Sequence, residues 1–286
     1  MIDFTNSKEL FNVYSGSEKK KTLIYENEKY LVKFPDPIRE KNKEISYINN
    51  SFSEYIGSNI FKICGFETQK TLLGNYNYHG KEKIVCACLD FTDDNHMLYE
   101  FEKLALGSSL DKKIDTELSD IIEIIKENDG IINSNEVLNY FWDMFIVDAI
   151  IGNTDRHNGN WGFIFDRITN SFKISPIYDC GSCLNPILSD EDIDNMKEKD
   201  IKNNAINVYS CLKNNGKKIN YMTYIKEDNT YINDAIKRVF PKINIVEIYN
   251  LINSITCITD SRKNYYKDII TIRYNIIKDK YNLINN

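Results

Sequence analysis

The chain has 286 residues, of which 42% are hydrophobic and 12% aromatic, enough to bury a core in one large domain or two lobes. Its formal net charge of −6 excludes a protein whose main task is to neutralise nucleic-acid phosphates. Residues 201–286 carry 14 Lys and Arg against 7 Asp and Glu, and a solvated helix face explains this basic end more simply than an anionic partner does.

The N-terminal sequence MIDFTNSKELFNVY has neither the basic start nor the apolar block of a signal peptide, and no apolar run reaches the roughly 18 residues of a membrane span. We therefore expect a cytoplasmic protein, with secretion as an effector left open. Seven cysteines spread over a long chain do not indicate a disulfide framework. Two close cysteine pairs lack the spacing of a paired CxxC motif, which disfavours zinc. They are Cys86 with Cys88 and Cys180 with Cys183.

The first 105 residues predict a small sheet with one helix. Apolar residues at helical spacing follow Ser51, and Gly65 stands where a glycine would end that helix. The predicted elements are a hairpin of Thr22–Tyr25 and Tyr30–Phe34, a helix from Ser51 to Cys64, and strands at Thr68–Leu73 and Lys83–Phe91 separated by a loop at 74–80.

After about residue 105 the pattern changes to helix. Asn133 and Glu136 have the spacing of a capping box, and apolar residues then fill one broad helix face before Gly152. Short strands are predicted at Trp161–Phe165 and Phe172–Ile174, and several helices from Glu191 onwards, the last two near Ile243–Cys257 and Arg262–Leu283. We therefore expect an α+β, two-lobed fold with a small mixed N-lobe (residues 1–105) and a larger, mainly helical C-lobe (106–286).

The turn NTDRHNGN at residues 153–160 has the groups that phosphoryl transfer needs. Asp155 and Asn160 lie five residues apart, the offset that in protein kinases separates the catalytic-loop carboxylate from a magnesium-binding amide. A carboxylate can take the proton of an attacking hydroxyl, and magnesium prefers oxygen ligands. Asp179, in ISPIYDCGS, offers the metal a second side chain, with Asp-Cys-Gly as an analogue of the kinase Asp-Phe-Gly. For the turn alone, an ordinary polar loop is an equally good interpretation.

Two N-lobe segments are candidates for nucleotide contacts. Ser15, Gly16 and Ser17 precede the first hairpin, where their backbone N–H groups would cradle phosphates, although a simple polar turn is the more common reading of such a sequence. Cys88 and Asp90 belong to CLDF at the end of the sheet, whose backbone would form the hinge that meets adenine.

Lys33 and Glu54 are candidates for an ion pair in the N-lobe. Lys33 ends the second strand of the hairpin, where a kinase places the lysine that contacts ATP phosphates, and a snorkelling strand lysine is the alternative. Glu54 lies in the one predicted N-lobe helix, where it either pairs with Lys33 or stays exposed.

Six segments carry a family resemblance: NTDRHNGNWGF followed by ISPIYDCGS, and GSEKK, YLVKFP, SEYIG and GKEKIVCACLDF. In these segments the chain resembles the HipA-like serine/threonine kinase family in its short, CtkA-type form. The resemblance runs over most of residues 10–185, and residues 190–286 carry no recognised motif. It implies an ATP- and magnesium-dependent protein kinase, with Asp155 as catalytic base and Lys33 on the ATP phosphates. Asn160 and Asp179 would hold magnesium. His157 matches the family's histidine and is expected to brace the loop.

The resemblance also implies autophosphorylation of a serine in the phosphate-binding loop, with Ser15 and Ser17 as candidates, and a role as a toxin or effector. The expected partners are a protein substrate and an antitoxin-like or regulatory protein; membrane and nucleic acid are not expected. A catalytically silent nucleotide-binding regulator and a small-molecule kinase are the alternatives. The acidic stretch Asp190–Asp194 either selects a basic substrate region or is simply solvated.

Overall fold

Six strands near the N-terminus form one mixed sheet. The computed structural model describes residues 1–11, 20–35, 47–106, 116–130 and 132–285. In spatial order the strands are β1 (Ile2–Asp3), β5 (Thr71–Tyr78), β6 (Lys81–Leu89), β4 (Glu28–Lys33), β3 (Lys20–Tyr25) and β2 (Lys8–Leu10). β1 runs parallel to β5, and the other neighbours are antiparallel. Helix α1 (Asn50–Ile63) packs on β5 and β6.

The first predicted hairpin and the first predicted helix are both confirmed. β3 and β4 are joined by Glu26 and Asn27, whose positive φ angles of 49° and 65° match the right-handed twist of the two strands. Helix α1 starts and ends one residue before the predicted limits, and Gly65 has a φ of 85° just after it. Local turn chemistry and apolar spacing are sufficient to predict these two elements.

The predicted loop at residues 74–80 is wrong, because β5 continues through Gly74 to Tyr78. Gly74 pairs with Ile2 of β1, and a Cβ at position 74 would lie 2.5 Å from the Ile2 carbonyl oxygen and close against the Phe4 ring. The glycine is therefore required by the close approach of a strand from the start of the chain.

The second part of the chain is mainly helical. Its elements are β7 (His96–Glu100), α2 (Phe101–Leu106), α3 (Leu118–Glu127), α4 (Ser134–Ile151), β8 (Gly162–Asp166), β9 (Ser171–Ile174), α5 (Asp190–Asp194), α6 (Glu198–Ile206), β10 (Tyr209–Asn214), β11 (Lys217–Asn220), α7 (Tyr221–Tyr224), α8 (Thr230–Val239), α9 (Ile245–Ser254) and α10 (Asp260–Asn285). Strands β7, β8 and β9 form a small antiparallel sheet, and β10 and β11 form a hairpin. None of the helices described is both long and apolar enough to span a bilayer. The α+β class, with a mixed sheet first and mainly helices after it, is confirmed, whereas the boundary at residue 105 stays a prediction.

Helix α4 runs through the centre of the large core, as predicted. The Asn133 side chain accepts a hydrogen bond from the backbone N–H of Glu136 at 3.2 Å, and Gly152 ends the helix in the left-handed conformation. Strands β8 and β9 and the last two helices also lie where the sequence predicts them. Helix α4 therefore delivers the chain into the polar turn that follows it.

The hairpin of β10 and β11 falls in a region that the sequence analysis assigned to helices, so that prediction is wrong there. Asn215 and Gly216 form its turn, with positive φ angles of 53° and 75°. An Asn-Gly pair is a strong signal for a two-residue hairpin turn and is present in the sequence.

The side chain of Arg273, in α10, binds the C-terminal end of α4. It is fully buried and donates to the backbone oxygens of Ile150, Asn204 and Ala205, which lie at the C-terminal ends of α4 and α6. These carbonyl groups carry partial negative charge. Burial lowers the pKa of Arg273 to about 10, so the side chain still carries its proton at neutral pH.

Candidate active site

Lys33, at the end of β4, lies between two carboxylates from distant parts of the chain. Its Nζ is 2.8 Å from Oε2 of Glu54 in α1 and 2.8 Å from Oδ1 of Asp179. The side chains of Lys33 and Glu54 are 8% and 1% exposed, whereas that of Asp179 is 41% exposed. The ion-pair interpretation of Lys33 and Glu54 is therefore confirmed, and Asp179 joins the same cluster at the solvent-facing side.

Glu54 also holds the backbone that follows Asp179. Its Oε1 accepts a hydrogen bond from the N–H of Cys180 at 3.1 Å. Asp179 has a φ of 56°, in the left-handed region that costs energy for any residue with a side chain. The strained turn at Asp179 is thus held by α1 and β4 together.

The backbone of the polar turn fixes Asp155 and Asn160 relative to each other. The Asn160 Nδ2 donates to the Asp155 carbonyl oxygen at 2.8 Å, and the His157 N–H donates to the same oxygen at 2.9 Å. Within the described residues, no hydrogen bond reaches the carboxylate of Asp155 or the amide oxygen of Asn160. Both side chains therefore keep an oxygen available for a ligand.

His157 has a bracing contact, in the manner expected. Its Nδ1 accepts the backbone N–H of Gly159 at 3.0 Å, and its carbonyl oxygen accepts the N–H of Asn160 at 2.9 Å. An Nδ1 that accepts a hydrogen bond places the proton of a neutral imidazole on Nε2. His157 therefore shapes the loop between Asp155 and Asn160, and its catalytic role stays a prediction.

Arg156 is the residue of the turn to which the sequence analysis gave no role. Its guanidinium is 2% exposed, forms an ion pair with Asp148 of α4 at 3.0 Å, and donates to the carbonyl oxygens of Asn160 at 2.7 Å and Tyr178 at 2.5 Å. One side chain thus joins α4, the polar turn and the residue before Asp179. A charged Asp148 within an apolar helix was the signal in the sequence that could have predicted this pair.

The two candidate carboxylates have opposite pKa shifts. Burial, with a contribution from Asp179, raises the pKa of Asp155, although the charges of His157, Arg156 and Lys218 oppose the rise. Burial also acts to raise the pKa of Asp179, but the adjacent Lys33 ammonium outweighs it and lowers that pKa. Asp155 is therefore the better proton acceptor, and Asp179 is held as a carboxylate, which suits a cation.

Of the remaining candidates for nucleotide contacts, the structure describes Cys88 and Asp90 but not the phosphate loop. Cys88 is fully buried in β6, where it pairs with Leu31 on one side and Thr71 on the other. The Asp90 carboxylate lies 2.5 Å from Lys29 Nζ. The three candidates in the phosphate loop, Ser15, Gly16 and Ser17, lie outside the described residues. All five assignments to the nucleotide stay predictions.

The segment after Asp179 is packed tightly against α1. Ser53 Oγ donates to the Cys183 carbonyl oxygen at 2.6 Å, and Cys183 Sγ donates to the Ser53 carbonyl oxygen at 3.3 Å. A Cβ at Gly57 would lie 2.8 Å from the Cys180 Cβ and 2.9 Å from the Cys183 Sγ. The helix that carries Glu54 and the segment that carries Asp179 are therefore in direct contact.

The acidic stretch from Asp190 to Asp194 has internal partners. Asp190 forms an ion pair with Arg262 at 2.5 Å, Asp192 closes a capping box with Ser189, and Asp194 accepts a hydrogen bond from Ser261. Asp190 and Asp194 thus hold α5 against the start of α10, and Asp192 caps the N-terminus of α5 itself. These contacts favour a structural role over the selection of a basic substrate.

Comparison with known proteins gives consistent matches. The family model described as "HipA-like C-terminal domain" matches residues 13–240. The serine/threonine-protein kinase CtkA of Helicobacter pylori (strain J99 / ATCC 700824) is 38% identical over 296 residues, which cover 97% of this chain and 86% of that protein.

Two solved structures are similar in fold. The crystal structure of the Helicobacter pylori proinflammatory kinase CtkA has a TM-score of 0.89 at 35% identity and covers 99% of this chain and 97% of its own. The Shewanella oneidensis MR-1 toxin–antitoxin complex of HipA, HipB and operator DNA has a TM-score of 0.54 at 10% identity and covers 99% of this chain and 68% of that one, a likeness of fold alone. The sequence matches thus show that the chain belongs to the HipA-like C-terminal domain family and is a serine/threonine protein kinase.

Proposed function

We propose that this kinase transfers the γ-phosphoryl group of ATP to serine or threonine hydroxyls with the help of magnesium. The observation that carries the proposal is the position of Lys33 Nζ, 2.8 Å from both Glu54 and Asp179. A lysine held by two carboxylates at the edge of a cleft is oriented to contact phosphate oxygens, and in kinases this lysine contacts ATP.

Asp155 is the group that would act on the attacking hydroxyl. Its carboxylate accepts the proton while the hydroxyl oxygen forms its bond to the γ-phosphorus, and the bond from that phosphorus to the β,γ-bridging oxygen breaks to release ADP. The raised pKa of Asp155 favours proton acceptance. His157 and Arg156 hold the loop on which Asp155 lies.

Asn160 and Asp179 suit a magnesium ion by the chemistry of their donor atoms. Asn160 uses its amide nitrogen on the Asp155 carbonyl, which leaves the amide oxygen as the donor, and Lys33 keeps Asp179 ionised. One carboxylate, one amide oxygen and substrate phosphates form a typical protein site for magnesium. Bound there, magnesium would neutralise charge that develops on the phosphates.

The proposal includes autophosphorylation at Ser15 or Ser17, which rests on the family resemblance alone. It also includes action as an effector, with a toxin as the alternative. The relative that matches 97% of the chain is named a proinflammatory kinase in its solved structure, whereas the more distant HipA is named in a toxin–antitoxin complex. This difference in similarity favours the effector role.

Mass spectrometry of the intact protein, incubated with ATP and magnesium, tests the proposal. We expect phosphate on the wild type and none on Asp155→Asn or Asp179→Asn, while Glu191→Gln, at an exposed acid of the same lobe, behaves like the wild type. Peptide mapping of Ser15→Ala and Ser17→Ala then assigns the modified serine.

Three other results would each contradict part of the proposal. If ATP raised the melting temperature without any transfer to the protein or to peptides, a silent nucleotide-binding regulator would be the better description. Transfer to metabolite hydroxyls but to no peptide would indicate a small-molecule kinase. Phosphorylation of the Asp155→Asn variant at the wild-type rate would remove Asp155 from the mechanism.

A further inference from the structure

A groove with a volume of about 500 Å³ opens beside Asp155. Its walls come from the catalytic turn, from the segment after Asp179, from the end of α6 and from the β10–β11 hairpin. The lining residues are Tyr47, Thr154, Asp155, Asn185, Ile187, Leu188, Asn204, Asn207, Val208, Tyr209, Cys211 and Lys218. A chain lying in this groove would bring a hydroxyl to the carboxylate of Asp155.

The lining has one charge of each sign among the described residues. Asp155 is the acid, and the cation is Lys218, which is exposed and forms no ion pair within the described part of the chain. Two lining side chains, Ile187 and Tyr209, are apolar and 38% and 48% exposed. The groove therefore offers apolar surface and a positive charge on the substrate side of Asp155.

The hairpin that forms one wall is positively charged. Residues 209–220 contain three lysines and no acidic residue. Of these three lysines, Lys218 is the one that lines the groove, where an anion beside its ammonium group would be stabilising. The nearby acid Glu117 binds the backbone N–H groups of Asn215 and Gly216, at the turn of the hairpin and not in the groove.

The acids on the opposite side of the groove do not balance this charge. The chain leaves the groove at Leu188 and continues to Asp190, which is paired with Arg262. Asp192 and Asp194 bind Ser189 and Ser261 in the same region. Asp190 and Asp194 therefore bind residues of α10, while Lys218 lines the groove.

We infer that this groove binds the protein substrate and selects an acidic residue next to the phosphorylated serine or threonine, through Lys218. An apolar substrate residue would pack against Ile187 and Tyr209. The inference rests on the proposed function, because it assigns the substrate class of the same site. It contrasts with the basic substrate considered from the sequence, since three of the four acids behind that hypothesis have internal partners.

The test compares serine peptides that differ at one position beside the serine, which holds glutamate, glutamine or lysine. The substituted position is moved along the peptide, so that each flanking position is tested in turn. The variants are Lys218→Glu and, as a control, Lys217→Glu. Lys217 is the neighbouring residue on β11, so its side chain points to the opposite face of the hairpin and does not line the groove. The readout is the ratio of kcat/KM for the glutamate peptide to that for the glutamine peptide, in which any effect of Lys218 on Asp155 cancels.

We expect a ratio of roughly two to five for the wild type and for Lys217→Glu, and a ratio below one for Lys218→Glu, with preference for the lysine peptide. High salt should reduce the wild-type ratio, because the pair is exposed. Equal rates on all peptides would overturn the inference and leave the kinase proposal standing. An increase in the KM for ATP alone in Lys218→Glu would assign Lys218 to the nucleotide and also overturn it. No transfer to any peptide or to the protein itself would overturn both.

Discussion

Two cations, Lys33 and Arg156, organise the site in different ways. Arg156 is enclosed by α4 and the polar turn and binds one carboxylate and two backbone carbonyl groups. Lys33 binds two carboxylates that belong to different elements, one buried in α1 and one partly exposed after β9. The planar guanidinium suits several fixed acceptors at once, whereas the lysine ammonium is a point charge on a flexible stem.

Because of this difference, we expect Arg156 to position protein groups and Lys33 to bind the ligand. The partners of Arg156 are all protein atoms in the interior, and a ligand has no access to replace them. Asp179, by contrast, is 41% exposed, and in the proposed mechanism phosphate oxygens approach the Lys33 ammonium from that side. We expect variants of Arg156 to act mainly on stability and variants of Lys33 mainly on catalysis.

The largest expected effect is on stability, from Arg156→Met. The substitution leaves Asp148 buried without its charge partner, which typically costs about 3–5 kcal/mol in the free energy of unfolding. Urea denaturation measures this loss. Arg238→Met is the control, because Arg238 pairs with Asp143 on the same helix but is 34% exposed, and we expect a loss of about 1 kcal/mol or less.

A double variant sharpens the comparison. Arg156→Met combined with Asp148→Leu removes both buried charges, and we expect it to regain most of the lost stability while phosphoryl transfer stays low, because nothing then holds the turn. Full activity in the double variant would show that Arg156 does not position the catalytic turn.

Lys33→Met should reduce kcat/KM for ATP by roughly 100- to 1000-fold, since in the proposed mechanism it removes the charge that contacts the ATP phosphates. Steady-state kinetics measures this, and urea denaturation should show a smaller loss of stability than for Arg156→Met. Lys21→Met is the control, because Lys21 lies in the neighbouring strand β3 and pairs with Glu9 instead. If Lys33→Met lost as much stability as Arg156→Met, the two cations would not differ in the way we expect.

Gly152→Ala tests the packing against Arg273, which binds a backbone carbonyl group at the end of α4. A Cβ there would contact the Arg273 guanidinium, 2.7 Å from its Cζ, and the backbone φ is 66°. We expect a loss of about 2–3 kcal/mol from strain and overpacking together. Gly80→Ala isolates the strain, because Gly80 has a φ of 78° and nothing within 4 Å of its Cβ position. Equal losses in the two variants would mean that the packing against Arg273 contributes nothing.

The smallest effect concerns pH. Asp155 must be ionised to accept a proton and its pKa is raised, so activity should fall with decreasing pH at a higher pH than an ordinary aspartate would give. Lys218 opposes that rise, so Lys218→Gln should move the acid limb of kcat up by roughly a few tenths of a pH unit. A pH–rate profile measures the shift, with Lys217→Gln as the control. An unmoved limb would assign the titration to another group.

The sequence predicts elements whose signals are local. The turn at Glu26 and Asn27, the cap at Asn133 and the glycine stop at Gly152 each set the geometry of the residues beside them, and all were confirmed. The Asn-Gly turn at residues 215–216 is equally local and was overlooked. The strand through Gly74 was not predictable in this way, because its partner β1 lies more than 70 residues away.

The same division holds for the site. Asp155, Asn160 and Asp179 could be selected because phosphoryl transfer requires those groups in that order. The pairing of Lys33 with Glu54 depends on how α1 packs on the sheet, and sequence spacing left it undecided. The Asp148 charge within an apolar helix could have indicated the pair with Arg156, but its contacts with two backbone carbonyl groups are marked by no residue type in the sequence.

The close packing at Gly57 has a consequence for inhibitor design. The Glu54 helix lies against Cys180 and Cys183 with no space for even one methyl group between them. Compounds that act on a kinase by pushing this helix outward to open a pocket behind the lysine would have to separate these surfaces and break the Ser53–Cys183 hydrogen bonds. Ligands for this kinase are therefore expected to bind with the Glu54 helix in its present position.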